Sequence, residues 1–266
     1  MDPSVADARA YYELGGEAAR LEGPLGVVEF ERTVEVLGEH LPRPPATVAD
    51  IGGGPGRYAL WLAGHRYWVH HRDLMPAHVD QLAGSAPAID SAVGDARHLD
   101  LADASVDAVL LLGPLYHLYE RADRLQALTE ARRIARPRAP VFVAAISRWA
   151  PRLHGLLVGR LYERIPGMGA MVDAMEPGGV MSPLFPGSFC GYAHRPDELR
   201  AEIIEAGLAV EDLVTVEGLA FALPDLAERL AEPVSREVVF ASARAVQRVP
   251  ELLGIGPHLL AVARPG

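Results

Sequence analysis

Apolar and polar positions follow two alternating periods along this chain. Short apolar runs bounded by Gly, Pro or Asp read as buried strands. They span 48–51, 67–72, 88–93, 106–112, 141–146, 208–216 and 258–263. Between them, apolar residues at helical spacing predict helices over 57–63, 76–83, 121–135, 196–206 and 224–249. Two further helices precede the first strand: 5–14, closed by Gly15 and Gly16, and 26–41, with Val27, Phe30, Val34 and Leu37 along one face. Pro42, Pro44 and Pro45 stop the second of these. Strands alternating with helices predict an α/β fold built on a mostly parallel sheet. Residues 147–194 fit no sheet element. They hold Trp149, Tyr162, Phe185, Phe189, Tyr192 and a methionine-rich run from Met168 to Met181, interrupted by Gly169, Gly178 and Gly179.

The chain is organised around Val48-Ala49-Asp50-Ile51-Gly52-Gly53-Gly54-Pro55-Gly56-Arg57-Tyr58. A buried strand runs into a turn almost free of side chains and then into a helix, the nucleotide-binding corner of a Rossmann-like sheet. Glycine lets a ligand approach the backbone closely there. The second strand ends in Asp73, where an acid can accept both hydroxyls of a ribose. Leu74 and Met75 follow and suit packing against an adenine. His70 and His71 are adjacent on a strand and point to opposite faces, so they cannot hold one metal ion together. The turn also satisfies a loose dinucleotide fingerprint through Gly54, Gly56 and Ala59, which leaves a nicotinamide-dependent oxidoreductase open at this point.

The acid-x-Gly-x-Gly-x-Gly spacing of Asp50, Gly52, Gly54 and Gly56 resembles motif I of the class I S-adenosylmethionine (SAM)-dependent methyltransferases. Gly94-Asp95-Ala96 resembles their second signature, in which the acid accepts from the adenine amino group. The run from Leu101 to Val109 resembles a third, ending in Asp107-Ala108-Val109. The chain departs from the family before the fifth strand, where Arg136-Pro137-Arg138-Ala139-Pro140 replaces the usual Lys-Pro-Gly-Gly. The resemblance implies a Rossmann-like three-layer sandwich with a mostly parallel seven-stranded sheet, the last strand antiparallel. It implies SAM as cofactor, held by Asp50, Gly52, Gly54, Gly56, Asp73, Leu74, Gly94, Asp95, Ala96 and Leu112. A weaker likeness is to bacterial enzymes of specialised metabolism that methylate indole carbon or phenolic oxygen. The implied activity is methyl transfer to a C, O or N atom of a small aromatic acceptor. A SAM-binding regulatory protein without catalysis is the alternative of another class.

Composition narrows the partners. The formal net charge is −10, with 25 basic residues, all arginine, against 35 acidic ones. That balance argues against nucleic acid as the main partner. The cluster Arg132, Arg133, Arg136 and Arg138 reads as cations at a helix C-terminus. The lone cysteine, Cys190, cannot form an intrachain disulfide and fits a reducing, cytoplasmic setting. The N-terminus lacks a signal-peptide pattern, and no apolar run reaches membrane-spanning length. A homodimer is left open, and no metal site is evident in the motifs.

The chemistry is expected at the C-terminal end of the fourth strand, where open α/β sheets place ligands. His117 sits there, a few residues after Leu112, as the candidate general base or hydrogen-bond acceptor, with Tyr12 and Glu17 to orient it. Tyr11, Tyr116, Trp149, Met168 and Phe189 are the candidate acceptor contacts. The expected division is a helical N-terminal cap over 1–45, a SAM-binding core over 46–147, a substrate-covering insertion over 148–195 and the remaining core over 196–266.

Overall fold

The computed structural model describes residues 3–13 and 22–266. Among them, β1 (Thr47–Ile51) is the centre of a parallel sheet. It pairs on one side with β2 (Trp68–Asp73) and on the other with β4 (Ala108–Leu111). β3 (Asp90–Val93) pairs parallel to β2, and β5 (Val141–Ser147) parallel to β4. A central strand of a parallel sheet is covered on both faces, so it reads as a continuous apolar run. β4 obeys this, with all four residues buried. The helices α1 (Pro3–Glu13), α2 (Pro24–His40), α3 (Arg57–Gly64), α4 (Pro76–Ser85) and α5 (Arg121–Ile134) occupy the predicted helical stretches. α3 keeps Gly64 in its last turn, one residue beyond the expected end, and buries Ala59 and Leu62.

The described strands number nine, two more than the seven expected. Both extra strands, β6 (Val180–Met181) and β7 (Gly191–His194), lie in the stretch that predicted no sheet element. They escaped the pattern because β6 is only two residues long and β7 is Gly-Tyr-Ala-His, which has no apolar period. β7 pairs parallel to the end of β5, and β6 pairs antiparallel to β7. The sheet order is β3-β2-β1-β4-β5-β7-β6; β9 (His258–Pro265) pairs with β5 and with β8 (Leu208–Thr215). α9 (Pro196–Glu205) follows β7, once α6 (Ala150–Leu157), α7 (Leu161–Arg164) and α8 (Met168–Gly178) have preceded β6. The helix expected over 224–249 is two helices, α10 (Leu226–Ala231) and α11 (Pro233–Val246). Pro233 lacks an N–H and starts a helix, and the Glu232 carboxylate caps it by accepting from the N–H groups of Val234 and Ser235.

The chain divides into two compact units. One comprises Leu37–Ala144, Leu199–Asp212 and Ala261–Gly266; the other comprises the N-terminal part to Val36, Ala145–Glu198 and Leu213–Leu260. In the first unit, Arg124 is buried and chelates Glu202 at 2.7 and 3.0 Å, while its other amino group donates to the carbonyls of Leu118 (3.0 Å) and Tyr119 (2.7 Å). That network fixes the backbone just after His117. Arg133 and Arg136 of the arginine stretch are paired with Glu130, Asp103 and Asp107. In the second unit, Arg148 is fully buried and donates to the carbonyls of Ala193 (2.6 Å) and Glu176 (2.7 Å) and to Glu198 (2.5 Å). It thereby ties the end of β5 to β7 and to α8. Among the described residues no helix is long and apolar enough to cross a membrane.

Met168, expected against the acceptor, is instead a core residue. It is 5% exposed and packs with Val172, Met175, Met181 and Ala193. Its flexible thioether fills the gap between α8 and the β6–β7 hairpin. Truncation leaves a cavity, so Met168→Ala is expected to cost about 2–4 kcal/mol in urea denaturation. Leu156→Ala, at a position 64% exposed, should stay within about 0.5 kcal/mol of wild type. Equal effects of the two changes would contradict this packing.

Candidate functional site

The glycine turn leaves β1 at the C-terminal edge of the sheet. Gly54 and Gly56 have φ of 56° and 90°, which side-chain-bearing residues adopt only with strain. A Cβ on Gly56 would also meet Leu82 at 2.6 Å, so the turn lies directly on α4. At Gly54, by contrast, an added Cβ would meet nothing within 4 Å. One face of the turn is therefore bare.

Asp73 closes the neighbouring corner. Its carboxylate accepts from the N–H of Gly54 (2.8 Å), from the N–H of Met75 (2.8 Å) and from His78 Nδ1 (3.0 Å). These contacts hold its carboxyl below the usual range although burial opposes them. Leu74 is partly exposed beside it. Just after β3, Asp95 is gripped by Arg97, whose Nε and Nη2 donate at 3.0 and 2.7 Å, and Arg97 also reaches Asp123 at 3.0 Å. The expected adenine acceptor is thus a charged acid already in a salt bridge. Gly94 rests on the Arg72 side chain, and Ala96 is buried behind it.

Asp50 is fully enclosed. Burial, reinforced by the nearby Asp73 charge, raises its pKa to about 7 against the opposing pull of the Ala59 N–H. It offers no open face to a ligand and bears on the turn from below, because a Cβ on Gly53 would meet its Oδ2 at 2.6 Å. This differs from the expectation of direct cofactor contact. Register explains it: β1 is covered on both faces, and the side chain of Asp50 emerges one residue too early to reach the edge.

After β4, Leu112 and Gly113 lead into a 3₁₀ turn, Pro114–His117. Pro114 packs against Gly52, where an added Cβ would lie 2.5 Å from its Cγ. The turn thus brings Tyr116 and His117 beside the glycine loop, their rings 4.7 Å apart and edge-on. His117 is partly accessible at the residue level, but its Nδ1 is sealed from solvent. Burial lowers its pKa to about 4, with the Asp73 charge pulling the other way. The ring is therefore neutral at physiological pH, and a weaker base than an ordinary histidine.

The other candidates fall in the second compact unit. The rings of Tyr11 and Phe189 meet edge-on at 5.3 Å, and Tyr12 lies 5.1 Å from Tyr11. Trp149 is 39% exposed and lines a cavity of about 350 Å³ with Arg152, Leu153, Pro250 and Ile255. Glu17 lies outside the described residues. Two groups among the described residues could offer three ligand atoms to a cation, Glu29 with Glu217 and His258, and Glu39 with His40 and Asp212. In the first, His258 Nδ1 already lies 2.5 Å from a carboxylate oxygen of Glu217.

Residues 49–143 match a family described as a methyltransferase domain. A Schizosaccharomyces pombe protein called uncharacterized methyltransferase-like is 28% identical over 122 residues, covering 46% of this chain and 44% of its own length. The chain thus spans less than half the length of that curated relative. Among solved structures, a Pyrococcus horikoshii protein superposes with a TM-score of 0.65 at 14% identity, covering 96% of this chain and 98% of that one. A SAM-dependent methyltransferase of Methanosarcina mazei gives 0.58 at 14% identity over 86% and 96%. A Haloferax volcanii chain solved in complex with the Trm112 methyltransferase activator gives 0.60 at 20% identity over 97% and 98%. The fold is that of the SAM-dependent methyltransferases, and SAM is the cofactor that the domain and fold imply.

The residues around the glycine turn fit SAM. The bare face at Gly54 is a cradle that any side chain would fill. Asp73 Oδ2 accepts one bond, from Gly54, so a carboxylate with about four acceptor sites keeps one for a ribose hydroxyl. Sequence reasoning missed His78, which orients Asp73, and His71, which lies beneath the turn. Alternation along β2 already turned one of the paired histidines inward; only the register with Asp50 says what it meets there.

Asp50 gives this domain a pH signature. Its folded-state pKa lies above the ordinary 3.8, so the folded protein holds a proton that the unfolded chain releases. Its contribution to stability therefore falls as pH rises from about 4 to about 7, and the full cost remains above that. Asp50→Asn should gain on wild type across this window, by up to ~4 kcal/mol, and level off above it. Thermal melts of both proteins at pH 5 to 8 measure the gap, and a gap independent of pH would contradict the assignment.

Proposed function

We propose that the protein transfers the methyl group of SAM to a C, O or N atom of a small aromatic acceptor, phenolic or indole-like, in bacterial specialised metabolism. The observation that carries this reading is the glycine turn, bare at Gly54 and flanked by Asp73 and the His117 turn, inside the matched domain. Bound SAM supplies a methyl group on a sulfonium, already activated toward a nucleophile. The chain's residues then need to bind, orient and manage a proton.

In this reading Gly52, Gly54 and Gly56 offer backbone to the cofactor, and Asp73 accepts from its ribose. Asp95 faces the adenine amino group while Arg97 keeps it ionised. Leu74, Gly94, Ala96 and Leu112 supply the apolar surround. His117, held neutral by burial, accepts a hydrogen bond from the acceptor's O–H or N–H and so aims its lone pair; proton removal by His117 is the stronger form of the same role. Tyr12 and Glu17 are the proposed orienting groups. Tyr11, Tyr116, Trp149 and Phe189 are the proposed acceptor contacts, with Met168 supporting them from the core. Residues 148–195 bear the acceptor-covering role and 1–45 the cap. A cytoplasmic location and a homodimeric state complete the proposal.

Titration calorimetry with S-adenosylhomocysteine and with NAD tests the cofactor. Tight NAD binding without any S-adenosylhomocysteine binding would sink the reading. Methyl transfer is then assayed against phenols and indoles. His117→Ala should lower kcat by a factor of about 10² with cofactor affinity retained. Phe189→Ala should raise the acceptor KM and leave that of SAM in place. Full activity of both variants would remove these residues from the mechanism.

A further inference from the structure

His71 has no exposed area, yet its ring is polar at both nitrogens. Nδ1 lies 2.9 Å from Ser91 Oγ on β3, and Nε2 lies 3.0 Å from the carbonyl oxygen of Gly54 in the glycine turn. The neighbouring His70 faces away and meets Asp90 at 2.6 Å. A Cβ on Gly53 would strike His71 Cδ2 at 2.6 Å, so the imidazole lies against the underside of the turn.

We propose that Ser91 and His71 form a positioning relay that sets the glycine turn for cofactor binding, with His71 locked as its Nε2–H tautomer. A carbonyl oxygen can only accept, so the Nε2 facing Gly54 must carry the hydrogen. Burial keeps the ring neutral, which leaves Nδ1 as an acceptor and the Ser91 hydroxyl as its donor. Ser91 therefore selects the tautomer. The opposite tautomer would set a lone pair of Nε2 against the Gly54 oxygen.

Gly54 is then held at both ends. Its N–H donates to Asp73 and its C=O accepts from His71. A turn with four glycines has much backbone freedom to lose when a ligand orders it. Fixing it beforehand lowers that cost and raises affinity. His71 does not touch the cofactor in this scheme; it acts through Gly54. The relay rests on the SAM-binding reading above.

Two substitutions separate its halves. His71→Gln can still place an amide N–H near the Nε2 position, toward Gly54. His71→Asn can still meet Ser91 but is too short to reach Gly54. Calorimetry with S-adenosylhomocysteine should show His71→Gln within about threefold of wild type and His71→Asn weaker by about tenfold, the loss of one hydrogen bond. Ser91→Ala should fall between them. With SAM as the varied substrate, KM should rise while kcat at saturation holds, which general destabilisation of the fold would not produce. Nitrogen-15 NMR of the wild type should show His71 as the Nε2–H tautomer, and Ser91→Ala should mix the two forms. An Nδ1–H tautomer in the wild type would overturn the relay. So would His71→Asn binding as tightly as wild type. A wild-type protein that binds neither SAM nor S-adenosylhomocysteine would instead overturn the reading beneath it.

Discussion

Parallel pairing of β1 on both of its edges is the constraint on which the site depends. It sets Asp50 opposite His71 on one side and opposite Leu110 on the other. The glycine turn therefore leaves the sheet between the ends of β2 and β4, beside both Asp73 and the 3₁₀ turn that carries His117. Shifting this register by one residue would exchange the faces of β1 and bring Ala49 rather than Asp50 beneath the turn. The candidate site at this edge of the sheet is thus a product of hydrogen-bond register more than of any single side chain.

Desolvation then gives each acid and histidine a different character. Asp50 is enclosed with another carboxylate nearby, and its pKa rises to about 7. Asp73 is almost as buried, but three donors hold it ionised. His117 and His71 are both pushed toward the neutral form by burial. A neutral histidine carries one hydrogen and one lone pair, so its neighbours decide which atom does which. Buried arginines serve a separate purpose. Arg72 answers Asp90 and Asp100 under β2, and Arg124 answers Glu202 and two carbonyls beyond His117. Each satisfies backbone oxygen as well as a carboxylate, which is the condition under which a buried ion pair is tolerated.

The stretch after β5 obeys different rules. Its core is methionine-rich, with Met168, Met175 and Met181 packed on Val172 and Ala193, and its strands are too short to show a period. Arg148 does what strand length does elsewhere, fixing β5, β7 and α8 through three carbonyl or carboxylate contacts. Side chains read as open to an acceptor therefore divide. Phe189 and Tyr11 meet edge-on, Trp149 stays partly exposed, and Met168 turns inward.

Much of the fold was legible because parallel strands buried on both faces must be apolar, and helices covering them must repeat every three to four residues. The seven expected strands, the glycine corner, Asp73 and Asp95 all carried local marks of their own. Pro233 as a helix start and the β6–β7 hairpin did not, since a proline reads as a break or a start depending on its neighbours, and two residues have no period. Local pattern placed Asp50 at the end of a strand, but only the packing on both sides of β1 made it a buried acid beneath the turn. The sequence by itself determined which residues stand at the C-terminal edge of the central strands. Tertiary structure alone decided their protonation and their partners: burial and the distance between charges arise from residues far apart in the chain, as with Asp50 and Asp73, Ser91 and His71, or Arg97 and Asp123.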